Sequence, residues 1–145
     1  MIVADPGAEE ESALRLGRIG FDHVAGYLEG GMAAAASRPE LIASIDRLSP
    51  ERAAERAAAR GDVVLLDVRT PPEHEASSIA GSLHIPLSQL PQRLSEIPSG
   101  RPVLVFCAGG YRSSIAASLL ARGGVRDVQE IAGGITAWHT AGLPA

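Results

Sequence analysis

Pro102-Val-Leu-Val-Phe-Cys-Ala-Gly-Gly-Tyr-Arg-Ser-Ser-Ile-Ala-Ala-Ser-Leu-Leu-Ala-Arg122 is the stretch on which the reading of this chain turns. Pro102 to Phe106 is a short unbroken apolar run, the pattern of a strand buried on both faces of a parallel sheet. Cys107 to Arg112 follows as a glycine-bearing loop, and Ser113 to Arg122 reads as a helix closed by Gly123-Gly124. In parallel sheets covered by helices, ligands bind beyond the carboxyl ends of the strands. Cys107 sits at such an end, immediately before a helix.

The flanking sequence repeats the alternation. Leu41 to Ile45 has the β-branched character of a short strand. Ser49 is placed as an N-cap with Pro50 at the first helical position and Glu51 in the first turn, and the helix is expected to reach Arg60 with Gly61 just past its end. Asp62 to Val68 is a second buried strand, Leu83 to Pro86 an extended segment, and Gln89 to Glu96 a helix interrupted early by Pro91. Val125 to Ile131 gives a last strand and Ile135 to Ala141 a last helix around Trp138. The expected fold is α/β: a parallel central sheet with helices on both faces.

Composition narrows the chemistry by what is missing. All 13 basic residues are Arg, which removes Schiff-base lysine chemistry and the phosphate-gripping lysine of a P-loop. A formal charge of −4 with no basic cluster argues against nucleic acid as a partner. No apolar run approaches the ~18–20 residues of a membrane span. One Cys makes neither an internal disulfide nor a Cys-rich zinc site, and His23, His74, His84 and His139 lack metal-ligand spacing. No metal and no cofactor are expected. The acidic start, Met1 to Glu11, is unlike an export signal, so the reducing cytoplasm is the expected compartment.

A lone buried cysteine is usually an inert small hydrophobe. Gly-Gly-Tyr-Arg directly after it changes that expectation. Gly109 and Gly110 allow successive backbone N–H groups to turn inward as an anion nest, the following helix adds its N-terminal partial charge, and Arg112 adds a full one. A thiol there ionises more easily than free Cys, whose pKa is ~8.5. Spacing restricts the adduct further. Cysteine phosphatases and arsenate reductases place five residues between Cys and Arg, whereas Ala108 to Tyr111 are only four. The smaller loop suits one extra sulfur atom, as a persulfide, better than a phosphoryl group.

The segment Cys107-Ala-Gly-Gly-Tyr-Arg-Ser113 resembles the active-site loop of the rhodanese family of sulfurtransferases. Asp67-Val-Arg-Thr-Pro-Pro-Glu73 and Ile79-Ala-Gly-Ser-Leu-His-Ile-Pro86 are similar to two upstream signatures of that family, and Gly133-Gly134, Trp138 and Gly142-Leu-Pro144 to its C-terminal one. The resemblance spans residues 37–145. It implies that Cys107 takes sulfane sulfur from thiosulfate or a low-molecular-weight persulfide such as glutathione persulfide and passes it to a thiol or cyanide. Arg112 would orient and neutralise the anionic donor. The amides of Ala108, Gly109, Gly110, Tyr111 and Ser113 would hold the persulfide, and Asp67 and Arg69 would brace the loop. His74 and Ser77-Ser78 depart from the usual pattern. Cys107 to Ala117 looks most like modules joined to metallo-β-lactamase-fold hydrolases, which makes such a hydrolase an expected fusion or separate partner. Alternatives are a non-catalytic regulatory or sulfur-binding module and, less favoured by the short loop, a cysteine phosphatase or arsenate reductase.

Residues 1–36 resemble the end of the chain shifted by roughly 102–104 positions. Met1-Ile-Val-Ala-Asp5 parallels Val103 to Cys107, Leu14 to Val24 parallels Leu119 to Val128, and Glu29-Gly-Gly31 parallels Ala132-Gly-Gly134. The reading is that 1–36 is the C-terminal half of a preceding, inactive rhodanese-like module, with Asp5 at the cysteine position, and that 37–145 is a complete one. It predicts a helix near 9–18 and a strand near 23–28. A half-module needs a surface to complete it, so a homodimer is among the expectations.

Overall fold

The computed structural model describes every residue except Ile19, Phe21 and Gly61, and divides into two units, Met1–Ser44 and Ile45–Ala145. The expected helix stop at Gly61 lies outside the described residues, as does part of the 14–24 match. Among the described residues no helix is long and apolar enough to cross a membrane.

In the first unit, α1 spans Glu9–Gly17 and α2 spans Gly31–Ala36. Glu9, Glu10 and Glu11 occupy the first turn of α1, where acid complements the helix dipole. The strand expected near 23–28 is reduced to one parallel bridge, Ile2 with Tyr27. The Ile2 amide donates to Gly26 O at 2.8 Å and the Leu28 amide to Ile2 O at 2.9 Å.

The second unit runs β1 (Asp46–Leu48), α3 (Pro50–Arg60), β2 (Val64–Asp67), α4 (Pro71–Ala76), β3 (Leu83–His84), α5 (Leu90–Arg93), β4 (Val103–Phe106), α6 (Tyr111–Arg122), β5 (Val128–Ile131) and α7 (Gly134–Thr140). Its sheet has the order β1-β5-β4-β2-β3 with every pair parallel. The strand expected at 41–45 lies further on: Pro39–Leu41 is a 3-10 turn and β1 begins at Asp46. Apolar character misplaces it because β1 is an edge strand, where exposed Asp46 and Arg47 are tolerated. Pro91 does not stop the helix it sits in. It falls in the first turn of α5, which tightens into a 3-10 turn at Leu94–Glu96.

Strand periodicity divides the core in two. Val103 and Val105 of β4 join Leu66, Leu90, Ala116, Ala117 and Leu120 on the face covered by α5 and α6. Leu104 and Phe106 join Ala53, Ile131, Ile135 and Trp138 on the face covered by α3 and α7. A side chain such as Leu104 or Leu120, wholly removed from water, contributes about 1.5–3 kcal/mol of apolar transfer. That sandwich holds the carboxyl end of β4 rigid. α7 then grips the first two residues of the loop beyond β4: the Ile135 amide donates to Cys107 O at 2.9 Å and the Thr136 amide to Ala108 O at 3.2 Å. Gly134 permits the approach. Its φ is 58°, and a Cβ there would press on the Cys107 carbonyl oxygen.

The joints of the first unit correspond to these at a shift of 103. Ile2 bridges Tyr27 as Val105 pairs with Glu130. Gly7 (φ 89°) precedes α1 as Gly110 (φ 109°) precedes α6, and a Cβ on Gly31 would press on the Ala4 carbonyl as one on Gly134 would on Cys107. At that shift Ala4 aligns with Cys107, Asp5 with Ala108 and Glu9 with Arg112. Short apolar strings align equally well one residue off; strand pairing does not.

Gly134→Ala is expected to cost roughly 3 kcal/mol in urea unfolding, from the left-handed backbone and the contact on the Cys107 carbonyl. Gly31→Ala is expected to strip hydrogen-exchange protection from the Leu28 amide. Rapid exchange at Leu28 already in the wild type would contradict the register.

Candidate active site

Cys107 lies one residue past β4, 1% exposed, with the first turn of α6 over it. α6 begins at Tyr111 rather than at Ser113, because left-handed Gly110 turns the chain into the helix two residues early. Arg112 and Ser113 are thus helical residues. The loop proper is Ala108 to Gly110.

The Gly110 amide donates to Sγ at 3.2 Å, and Sγ is 3.6 Å from Ser113 Oγ. Burial pushes the thiol's pKa up. The Ser113 hydroxyl and the amides of Ser113, Gly110 and Gly109 outweigh it and leave the thiol below its ordinary value. Of the five amides expected to hold a sulfur adduct, three act on the thiol in this arrangement. Ala108 instead contributes its carbonyl to α7, and the Tyr111 residue is 82% exposed.

Arg112 is paired. Its Nη1 and Nη2 donate to Glu73 Oε2 and Oε1 at 2.7 and 2.6 Å, a two-pronged ion pair joining α6 to α4. The Cys107 thiolate also strengthens Arg112's hold on its proton. Glu73 thus balances part of the charge that Arg112 brings to the loop. The Thr70 amide and hydroxyl, at 3.0 and 2.6 Å, fix Glu73 Oε2.

The Asp67–Arg69 brace is present but runs elsewhere than expected. Arg69 donates from Nε and Nη2 to buried Asp67 and sends Nη1 to Glu73 O at 3.1 Å and Nη2 to Ser77 O at 2.6 Å. It ties down α4 and the turn after it, not the cysteine loop. His74 Nδ1 lies 2.9 Å from Asp67 Oδ2, and its ring stacks on His84, whose Nε2 donates to Arg69 O. Burial pushes Asp67 up, and the hydrogen bonds from Arg69 and His74 more than reverse it. Support therefore reaches Cys107 indirectly, from Asp67 and Arg69 to α4, to Glu73 and then to Arg112.

Sequence reasoning singled out neither Glu73 nor Glu130 as a site residue. Thr70-x-x-Glu73 after a strand is a capping-box signal that could have found the first. Glu130, an acid inside an apolar strand, was a signal for the second: it is 3% exposed and accepts from Ser113 Oγ at 3.0 Å. Among the described residues no group of three or more His, Cys, Asp or Glu could hold a metal ion.

The rhodanese-like domain family matches residues 49–141. The chain belongs to that family. It is 38% identical over 100 residues to a sulfurtransferase of Allochromatium vinosum, covering 69% of this chain and 94% of that protein. It is 35% identical over 80 residues to the thiosulfate sulfurtransferase GlpE of Pseudoalteromonas translucida, covering 55% of this chain and 76% of that one. A rhodanese-related protein from Thermoplasma volcanium superposes with a TM-score of 0.63 at 30% identity, over 68% of this chain and 95% of that one.

Both Glu73 and Asp67 have carboxyl pKa values below their unfolded ones, Glu73 chiefly through Arg112 and then Thr70. A depressed folded pKa gives stability that is complete above the unfolded value, about 4 for these groups, and lost as the pH falls from there toward the folded value. The urea midpoint is expected to drop steeply below about pH 4, and less steeply in Glu73→Gln. Equal acid slopes in the two proteins would show that the Arg112 pair carries no linkage.

Proposed function

We propose that this protein is a sulfurtransferase that carries sulfane sulfur as a persulfide on Cys107. The observation that supports it most directly is a buried thiol, lowered in pKa by the loop donors, inside a four-residue Cys–Arg loop. The Cys107 thiolate attacks the outer sulfur of thiosulfate. A new S–S bond forms, the bond to the sulfonate breaks, and sulfite leaves with the electron pair. The product, Cys–S–S⁻, carries its charge on the outer sulfur, where the loop amides and the N-terminus of α6 stabilise it. Cyanide or a thiolate then attacks that sulfur and expels the Cys107 thiolate, which the Gly110 amide receives at 3.2 Å. Arg112, held by Glu73, positions the donor, while the loop amides and the N-terminus of α6 supply the positive field.

Glutathione persulfide fits the same path, with glutathione thiolate in place of sulfite as the leaving group. The resemblance of Cys107 to Ala117 supports a metallo-β-lactamase-fold hydrolase, fused or separate, as the exchange partner, and the single cysteine supports the reducing cytoplasm as the setting. Residues 1–36 are the C-terminal half of a second module in this reading. The support is the 103-residue register, and with Ala4 opposite Cys107 and Glu9 opposite Arg112 that half has neither the nucleophile nor the cation to carry sulfur.

Intact-protein mass after brief exposure to thiosulfate or glutathione persulfide tests the proposal. The expected gain is about 32 Da, one sulfur, in the wild type, discharged by cyanide and absent from Cys107→Ser. No gain with either donor, or turnover of p-nitrophenyl phosphate instead, would overturn it.

A further inference from the structure

Glu130 is a buried acid that the sulfur chemistry leaves unused. It stands on β5 where the sheet face under α6 is otherwise apolar, in register with Val105 on one side and Arg47 on the other. Glu130 Oε2 is 3.0 Å from Ser113 Oγ, and Ser113 Oγ is 3.6 Å from Cys107 Sγ. Carboxylate, hydroxyl and thiol form a chain. Arg47 approaches the other carboxylate oxygen at 3.5 Å but stands mostly in solvent. The groups facing Glu130 are thus Arg47 from β1, Ser113 from α6 and, through it, Cys107; Tyr111 lines the adjoining cavity of about 310 Å³ with Arg47 and Glu130.

Ser113 has one hydroxyl proton and three neighbours able to accept it: Glu130, the Gly110 carbonyl oxygen at 2.9 Å, and Sγ when ionised. A hydrogen bond to an ionised carboxylate is stronger than one to a neutral carbonyl. When the hydroxyl points its proton at Glu130, Ser113 turns lone pairs toward Sγ and the hydroxyl's help to the thiolate is lost. That suits a thiol, which donates, and not a thiolate, which needs a donor. The carboxylate's own charge acts in the same direction in this low-dielectric setting.

We infer that Glu130, acting through Ser113, is a positioning residue that makes the Cys107 thiolate more basic, and so sets the balance between loading and unloading sulfur. A more basic thiolate is the stronger nucleophile toward a sulfur donor and the slower leaving group when an acceptor attacks the persulfide. No proton is lost or gained in the tuning itself; the hydroxyl proton changes the acceptor it points to. The loop amides and the Ser113 hydroxyl pull Cys107 toward ionisation, and Glu130, by competing for that hydroxyl's proton, holds it back. The inference builds on Cys107 as the sulfur carrier, and its test is chosen to read the thiol directly.

The experiment is the rate of Cys107 alkylation by iodoacetamide against pH, followed by intact mass. Glu130→Gln keeps the shape, removes the charge and returns the hydroxyl proton to sulfur, so the midpoint is expected to fall by roughly one pH unit. In a Ser113→Ala background the same substitution is expected to move it less, the signature of a coupling that passes through the hydroxyl. Persulfide discharge to cyanide is expected to be several-fold faster in Glu130→Gln. An unchanged or higher midpoint overturns the inference. Arg47→Ala, a substitution at an exposed edge, is expected to raise the midpoint by a few tenths of a unit by leaving Glu130 less neutralised; no rise, or a fall, counts against it. If the midpoint shifts as stated but the wild type takes no sulfur, Glu130 keeps its role and the sulfurtransferase reading falls.

Discussion

A buried thiol ionises readily only where its donors are in place beforehand, and that constraint organises the second unit around Cys107. Cys107 is nearly closed to solvent, and burial alone would keep it protonated. What reverses this is the Ser113 hydroxyl together with the backbone amides of Ser113, Gly110 and Gly109. Their positions depend on β4 ending where it does, on Gly110 turning into α6, and on α7 holding the carbonyls of Cys107 and Ala108 from behind. The sheet order serves the same end: β4 is flanked by β5 and β2, so the strand that delivers Cys107 is central and rigid.

Charge around the site is balanced rather than accumulated. Arg112 is matched by Glu73, Arg69 by Asp67, and Arg47 approaches Glu130. A loop flanked by a free guanidinium would favour a dianion of any shape. In the proposed chemistry, with Arg112 engaged, selectivity rests on the size of the four-residue loop. The Asp67–Arg69 pair, beneath the stacked His74 and His84, fixes α4 so that Glu73 meets Arg112 with both oxygens.

The strand–cysteine–loop–helix order was legible because it is local: an apolar run, two glycines and a helix former adjacent in the chain. Both helix-covered faces followed from alternation of strands and helices. What escaped depends on contacts far apart in sequence. Glu73 lies 39 residues from the arginine it binds, and Glu130 17 from its serine, so neither pairing leaves a spacing signal. β1 was misplaced because an edge strand needs little apolar character. The Asp67–Arg69 brace was foreseen with the wrong target, since residue type shows that a guanidinium will pair but not which carbonyls its far nitrogens reach.

In the proposed chemistry this loop holds one anionic sulfur on Cys107 by its donors, with Arg112 kept on Glu73. A crystal structure of the protein loaded with thiosulfate measures it most directly. One additional sulfur bonded to Sγ is expected, within hydrogen-bond reach of the amides of Gly109, Gly110 and Ser113, with the Arg112–Glu73 pair intact. An unmodified Cys107 beneath a tetrahedral oxyanion clamped by Arg112, or an added sulfur turned away from the amides, would contradict it.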